Sequence, residues 1–215
     1  MKKKINVILV DDHAVVRAGY KMLLKNIDYI NVIAEADTGE EAIVLSRKHR
    51  PDVIVLDISL PGISGIETIR RIVFANHGIK VLVFTMHEEV VFVERALQAG
   101  AIGYMTKSSD PEKLSKAIKF VSEGKRYIDD DLKKKMTYQY EHLREDDSLL
   151  SDLSAREFQI FCLLAEGKNT QDISKNLSIS YKTAANYSSQ IKNKLHVSTI
   201  ADIARIAIRH NIIKA

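Results

Sequence analysis

The chain has a single cysteine, Cys162, so no internal disulfide can form. It lies in the apolar run IFCLLA, where a thiol reads as a core residue and not as a nucleophile. No apolar stretch approaches the roughly 18 residues that a bilayer span requires. The opening MKKKINVILVDDH begins basic but soon meets two aspartates, which a secretory h-region would not carry. The expectation is a soluble cytoplasmic chain without a membrane partner. Internal repeats and low-complexity tracts are absent too. With 46% apolar and 28% charged residues, the composition is that of a folded globular protein and excludes a disordered one.

The 215 residues suit two modest domains or one large one. The net charge of +4 is small, and its distribution says more than its size. Residues 1–124 hold 17 lysines and arginines against 16 acids, and residues 149–215 hold 9 against 5. The excess at the C-terminal end would suit a polyanion, although a solvated basic face is common.

Residues 1–124 alternate strand and helix signals. Strands are expected at 5–10, 32–36, 53–56, 81–85 and 103–105. Helical patterns fall at 14–25, 40–48, 66–75, 90–98 and 111–122. Thr38-Gly-Glu-Glu41 reads as a capping box, and Asp110-Pro111 as an N-cap followed by proline at the first helical position. Such alternation implies a parallel α/β sheet with right-handed crossovers. Residues 125–148 are polar, with the charge blocks DDD, KKK and REDD, and read as an extended helix or a semi-flexible linker. After residue 148 every pattern is helical. Ser154-Ala-Arg-Glu157 is a second capping box, and Gly167 ends its helix. A short helix at 170–177, the turn Ser178-Ile179-Ser180, a longer helix at 181–195 and a last one at 199–209 follow.

The stretch VIVLDISLPG, residues 53–62, runs four aliphatics into Asp57 and then a turn. An apolar run of that kind is a strand buried on both faces. Its terminal carboxylate either caps the turn or marks a site at the carboxyl edge of the sheet. The first strand also ends in acid, Asp11 and Asp12; the fourth ends in Thr85; Lys107 follows the fifth. In a parallel sheet these ends share one edge. Carboxylates held close repel one another unless a cation sits among them. Oxygen-only ligands suit Mg²⁺, and a carboxylate beside Mg²⁺ and a lysine can accept a phosphoryl group.

VDDH, VLDISLPGISG, FTMH and GYMTKSS resemble the receiver domain of two-component response regulators, over residues 5–124. The resemblance implies a flavodoxin-like (βα)5 fold with Asp57 as phosphoacceptor. It further implies that Asp12, Asp57 and the Ser59 carbonyl bind Mg²⁺ directly, with Asp11 assisting through water. Thr85 would bind the phosphoryl group, Tyr104 would switch rotamer with it, and Lys107 would pair with the phosphate. Ser108 stands where many receivers have proline.

The short helix, turn and longer helix make a helix-turn-helix candidate. In YKTAANYSSQIKNKL, Ala184, Ile191 and Leu195 give a packing side. Lys182, Asn186, Ser189, Gln190 and Lys194 offer hydrogen bonds elsewhere. Serine, asparagine and tyrosine are mediocre helix formers, and groove contacts would explain them. An ordinary solvated helix is the plainer alternative. The stretch from Leu153 to Leu195 resembles the LuxR-type DNA-binding domain, and with the receiver makes the NarL/FixJ family of response regulators. Tyr187, where most relatives have histidine, and GKRYI after the receiver lean towards the GacA/UvrY subgroup. The resemblance sets base-reading positions at Ala185, Asn186 and Ser189. Ala185 and Ser189 are uncharged, so phosphate anchoring by Lys182, Thr183, Tyr187 and Lys194 would supply most of the affinity for double-stranded DNA. The reading is a regulator and not an enzyme, phosphorylated by a sensor histidine kinase and dimeric on paired half-sites. A metal-dependent phosphatase would want a D-x-D motif after the first strand. A flavoprotein on the same fold would want a Ser/Thr/Gly-rich phosphate loop, where this chain has DDHAVVRAG.

Overall fold

The structure, a computed structural model, describes residues 4–141 and 150–213, and the chain divides into two compact units between Thr137 and Tyr138. The charge block REDD of the expected linker lies outside the described residues.

The first unit alternates β1 (Ile5–Val10), α1 (Ala14–Lys25), β2 (Ile30–Ala36), α2 (Gly39–His49), β3 (Val53–Leu56) and α3 (Gly65–Ala75). It continues through β4 (Lys80–Thr85), α4 (Val90–Gln98), β5 (Gly103–Thr106), α5 (Glu112–Ser122), β6 (Tyr127–Ile128) and α6 (Asp130–Glu141). All neighbouring strands pair in parallel, in the order β2-β1-β3-β4-β5-β6. The order reverses at β1 and β3, where an open α/β sheet leaves a crevice beyond its carboxyl ends. Alternate residues of the central strands point to opposite faces. Val7, Leu9, Val53, Val55, Leu82, Phe84 and Met105 pack with Leu24 of α1 and Leu114, Ala117, Ile118 and Val121 of α5. Their partners in alternation, Ile8, Val10, Ile54, Leu56, Val81, Val83 and Tyr104, are buried as well. Burying an aliphatic side chain of this size stabilises by about 1.5–3 kcal/mol.

The sheet does not stop at residue 124, where the sequence reading ended the domain. Tyr127 and Ile128 add β6 to the outer side of β5, pairing with Gly103 and Tyr104. Residues 130–141 then form α6, whose Leu132 is buried. The Thr38 box closes one residue out of register: Thr38 Oγ1 accepts the Glu41 amide, while Glu41 accepts the amide of Asp37. Asp110 accepts the Glu112 amide at 2.9 Å just ahead of α5, but the helix starts one residue later than expected, with Pro111 at its N-cap and no side-chain cap.

Two glycines shape the turn after β3. Gly62 sits at φ +75°, a left-handed conformation that costs other residues strain. At Gly65 a Cβ would fall 2.3 Å from the Ile58 Cα, so only glycine lets α3 start this close to the turn.

The second unit contains α7 (Ala155–Ala165), α8 (Thr170–Asn176), α9 (Tyr181–Lys194) and α10 (Ile200–Arg209). Full capping boxes open α7, α8 and α10 at Ser154, Asn169 and Thr199. Phe158, Phe161, Leu164, Ile173, Ala184, Ile191, Leu195 and Ile203 are buried in this unit. Arg156 donates to the Leu177 carbonyl at 3.1 Å, tying α7 to the end of α8.

Candidate functional site

The strand ends bring the acids together. Asp11 N donates to the Ala36 carbonyl and Asp57 N to the Val10 carbonyl, so each acid extends its strand by one residue. Both carboxylates are nearly buried, Asp11 at 6% and Asp57 at 4% exposure. Lys107 Nζ reaches both, 2.7 Å from Asp11 Oδ2 and 2.5 Å from Asp57 Oδ2. Its backbone amide donates to the Thr85 carbonyl at 2.7 Å, which fixes the lysine across the edge from β4. Burial alone would lower the Lys107 pKa, but the charges and hydrogen bonds of Asp57 and Asp11 outweigh it and leave it raised. The remaining oxygens are engaged: Asp11 Oδ1 accepts the His13 amide at 2.8 Å and Asp57 Oδ1 the Ser59 amide at 3.0 Å.

Asp12 is more open, its side chain 32% exposed, with His13 Nδ1 2.7 Å from Asp12 Oδ1. Asp11, Asp12 and His13 present ligand atoms within 4.8 Å of one another, a spacing that could hold a metal ion. Two buried carboxylates share a single ammonium, and the open Asp12 adds a third at the same strand ends, an oxygen-rich donor set that fits a hard divalent cation. His13 was not singled out from the sequence; its adjacency to the acidic pair was the available signal.

Thr85 is fully buried, and its Oγ1 has no hydrogen-bond partner. An unmatched buried hydroxyl costs about 1–3 kcal/mol. Tyr104 is fully buried as well and donates to the His87 carbonyl at 3.0 Å. Burial first, and then the charges of Glu89 and Asp57, push its phenol well above the ordinary range. The sequence reading gave His87 no role. Its Nε2 lies 3.0 Å from Ser59 Oγ and its ring stacks on Phe92 with centroids 4.0 Å apart.

On α9, the exposed side carries Lys182, Asn186, Ser189 and Gln190 at helical spacing, with Asn193 one turn further. Thr183, Ala185 and Tyr187 are half-buried beside them. Ser180 opens the helix by accepting the Thr183 amide, and its hydroxyl lies 2.8 Å from Thr183 Oγ1. Lys194, expected among the phosphate anchors, makes contacts inside the unit. Its ammonium donates to Glu157 Oε2 at 2.7 Å and to the Asp152 carbonyl at 3.2 Å, so it is committed within the unit. The reason is electrostatic. Glu157 is nearly buried because it closes the α7 capping box, and a buried carboxylate needs a cation.

Residues 7–119 match the response regulator receiver domain, and residues 151–207 match the luxR family of bacterial regulatory proteins. The chain belongs to the response regulators, with the architecture of a DNA-binding member of a two-component system. It is 36% identical over 211 residues to the response regulator UvrY of Escherichia coli, covering 98% of this chain and 97% of that one. It is 37% identical over 211 residues to the response regulator GacA of Pseudomonas aeruginosa, covering 98% and 99%. Among solved structures it is similar to RcsB of Salmonella enterica serovar Typhimurium bound to a promoter, with a TM-score of 0.68, 25% identity and 99% and 100% coverage. No helix among the described residues is long and apolar enough to cross a membrane.

Proposed function

We propose that Asp57 accepts a phosphoryl group from a sensor histidine kinase, and that this modification controls binding of the second unit to double-stranded DNA. The observation that carries the reading is the Lys107 ammonium bridging Asp11 and Asp57 beside the unmatched Thr85 hydroxyl. An oxygen of Asp57 attacks phosphorus as the phosphorus–nitrogen bond of the donor histidine breaks, leaving an acyl phosphate and a free imidazole. Lys107 loses one carboxylate charge and pairs with a phosphoryl oxygen. Thr85 donates its free hydroxyl to another. Mg²⁺ would be held by Asp12, Asp57 and the Ser59 carbonyl, with Asp11 assisting through water, and would offset negative charge on the transferred group. What supports a direct place for Asp12 is the openness of its carboxylate.

In the second unit, Asn186 reads adenine in the major groove, with Ser189 and Gln190 beside it. Lys182, Thr183 and Tyr187 hold the phosphates. The RcsB structure similar to this chain is of a promoter complex with the phosphomimetic BeF3⁻. Phosphorylated chains bind as a homodimer, because two half-sites recognised together gain from effective concentration. Acetyl phosphate with Mg²⁺ is expected to add one base-labile phosphoryl group to the wild-type chain and none to Asp57→Asn, read by intact mass. Full labelling of Asp57→Asn would reject the assignment.

A further inference from the structure

Beyond the acids and Lys107, a further buried carboxylate lies close by. Asp129, between β6 and α6, is 6% exposed. Its Oδ2 accepts the Thr106 amide at 2.9 Å and the Ser109 hydroxyl at 2.6 Å, and its Oδ1 accepts the Tyr127 phenol at 3.3 Å. Burial first, then the charge and hydrogen bond of Asp129, push the Tyr127 phenol up to about 12. Thr106 and Ser109 flank Lys107, so the loop that carries the site's ammonium is fastened from both ends to one carboxylate. The Thr106 hydroxyl lies 2.9 Å from those of Ser108 and Ser109, which closes the loop on itself. Asp129 also begins α6, since its carbonyl accepts the Lys133 amide at 3.0 Å. A second strap runs parallel: Glu88 accepts from Ser108 Oγ and from Lys135 Nζ of α6, each at 2.7 Å.

We propose that Asp129 is a positioning residue for Lys107 and the joint through which the charge on Asp57 reaches helix α6. The physical reason is the near-burial of Lys107, whose side chain is 8% exposed and must stay beside its counter-charge. Phosphorylation of Asp57 removes that charge from the carboxylate and moves it outward onto the phosphoryl oxygens. Lys107 follows, Thr106 and Ser109 move with it, and Asp129 transmits the displacement to the first turn of α6. In sequence, α6 leads to the second unit. Ser108, where many receivers have proline, joins the Thr106 hydroxyl on one side to Glu88 on the other.

The proposal rests on Asp57 being the phosphoacceptor, so the test separates the two. The full-length chain is treated with acetyl phosphate and Mg²⁺; intact mass reads labelling, and amide hydrogen exchange reads residues 130–137. In the wild type, labelling is expected to change exchange over those residues. Asp129→Ala should label about tenfold more slowly, the rate equivalent of one charge-assisted hydrogen bond, and its labelled fraction should show no change in α6. A purely structural Asp129 would alter stability while leaving both readouts intact, and that result overturns the proposal. Should Asp129→Ala fail to fold, Ser109→Ala and Tyr127→Phe each remove one donor. Slower labelling with a smaller exchange response supports the clamp, and wild-type values in both variants overturn it. A wild-type chain that takes no phosphoryl group overturns the Asp57 reading and the clamp together. Normal labelling with unchanged α6 exchange overturns the clamp alone.

Discussion

Substituting Lys194 by methionine keeps the aliphatic stem and removes the ammonium that pairs with Glu157. The carboxylate side of that pair is 7% exposed and the lysine side 43%. Breaking a fully buried pair costs about 3–5 kcal/mol, because the remaining charge is stranded. Solvent reaches the lysine and screens its half, which reduces the expected loss to about 1–2 kcal/mol. For a unit of this size that corresponds to a fall of about 5–15 °C in the midpoint of its thermal transition. Far-UV circular dichroism of the full chain reads it. The pH dependence follows from Glu157. Burial raises its pKa, but Lys194 and the Ser154 hydrogen bonds outweigh that and leave it below the ordinary 4.5. A depressed carboxyl pKa gives stability that is present above pH 4.5 and lost as pH falls through the lower folded value. The gap in midpoint between wild type and Lys194→Met should therefore be full at neutral pH and shrink in acid. Were Lys194 a phosphate anchor, the variant would melt like the wild type. The slope of log affinity for DNA against log salt would then shrink by about 0.9. That pair of results refutes the structural role given to Lys194.

On the exposed side of α9, Lys182→Ala should weaken binding about equally on all sequences, while Asn186→Ala should relax preference at one base pair at a cost of about 1–3 kcal/mol there. Selection of bound fragments from a random pool checks both, and an unchanged sequence preference in Asn186→Ala removes it as a reader. Gly65→Ala forces a Cβ to within 2.3 Å of the Ile58 backbone and should destabilise the first unit by about 2–3 kcal/mol, read by denaturant unfolding. A loss under about 0.5 kcal/mol would mean that the turn after Asp57 yields freely.

The parallel sheet was legible because its central strands are short aliphatic runs ending in polar residues. INVILV and VIVL each stop at an aspartate, and the helices between them are amphipathic. Asp11, Asp57 and Lys107 were legible for the same reason: a strand end fixes where a side chain lies, whatever the loops do. The edge of the unit was not. Tyr127 and Ile128 are too few to show a period, and the charges around them mask a strand held by β5 alone. Asp129 reads as one of three consecutive aspartates, and only the fold separates the buried one from its solvated neighbours. The internal partner of Lys194 was not legible because a lysine on a helix carries no sign of it, and Glu157 lies 37 residues earlier in the chain. His87 was overlooked because its contacts with Ser59 and Tyr104 join three separate strand ends.

The account holds that chemistry at Asp57 governs DNA binding, and one titration tests this most directly. A duplex selected by the phosphorylated chain is titrated with wild type and Asp57→Asn, each with and without acetyl phosphate and Mg²⁺, by fluorescence anisotropy. Acetyl phosphate is expected to tighten binding of the wild type and leave Asp57→Asn unchanged. An equal response in Asp57→Asn, or none in a wild-type sample shown by mass to be fully labelled, would contradict the account.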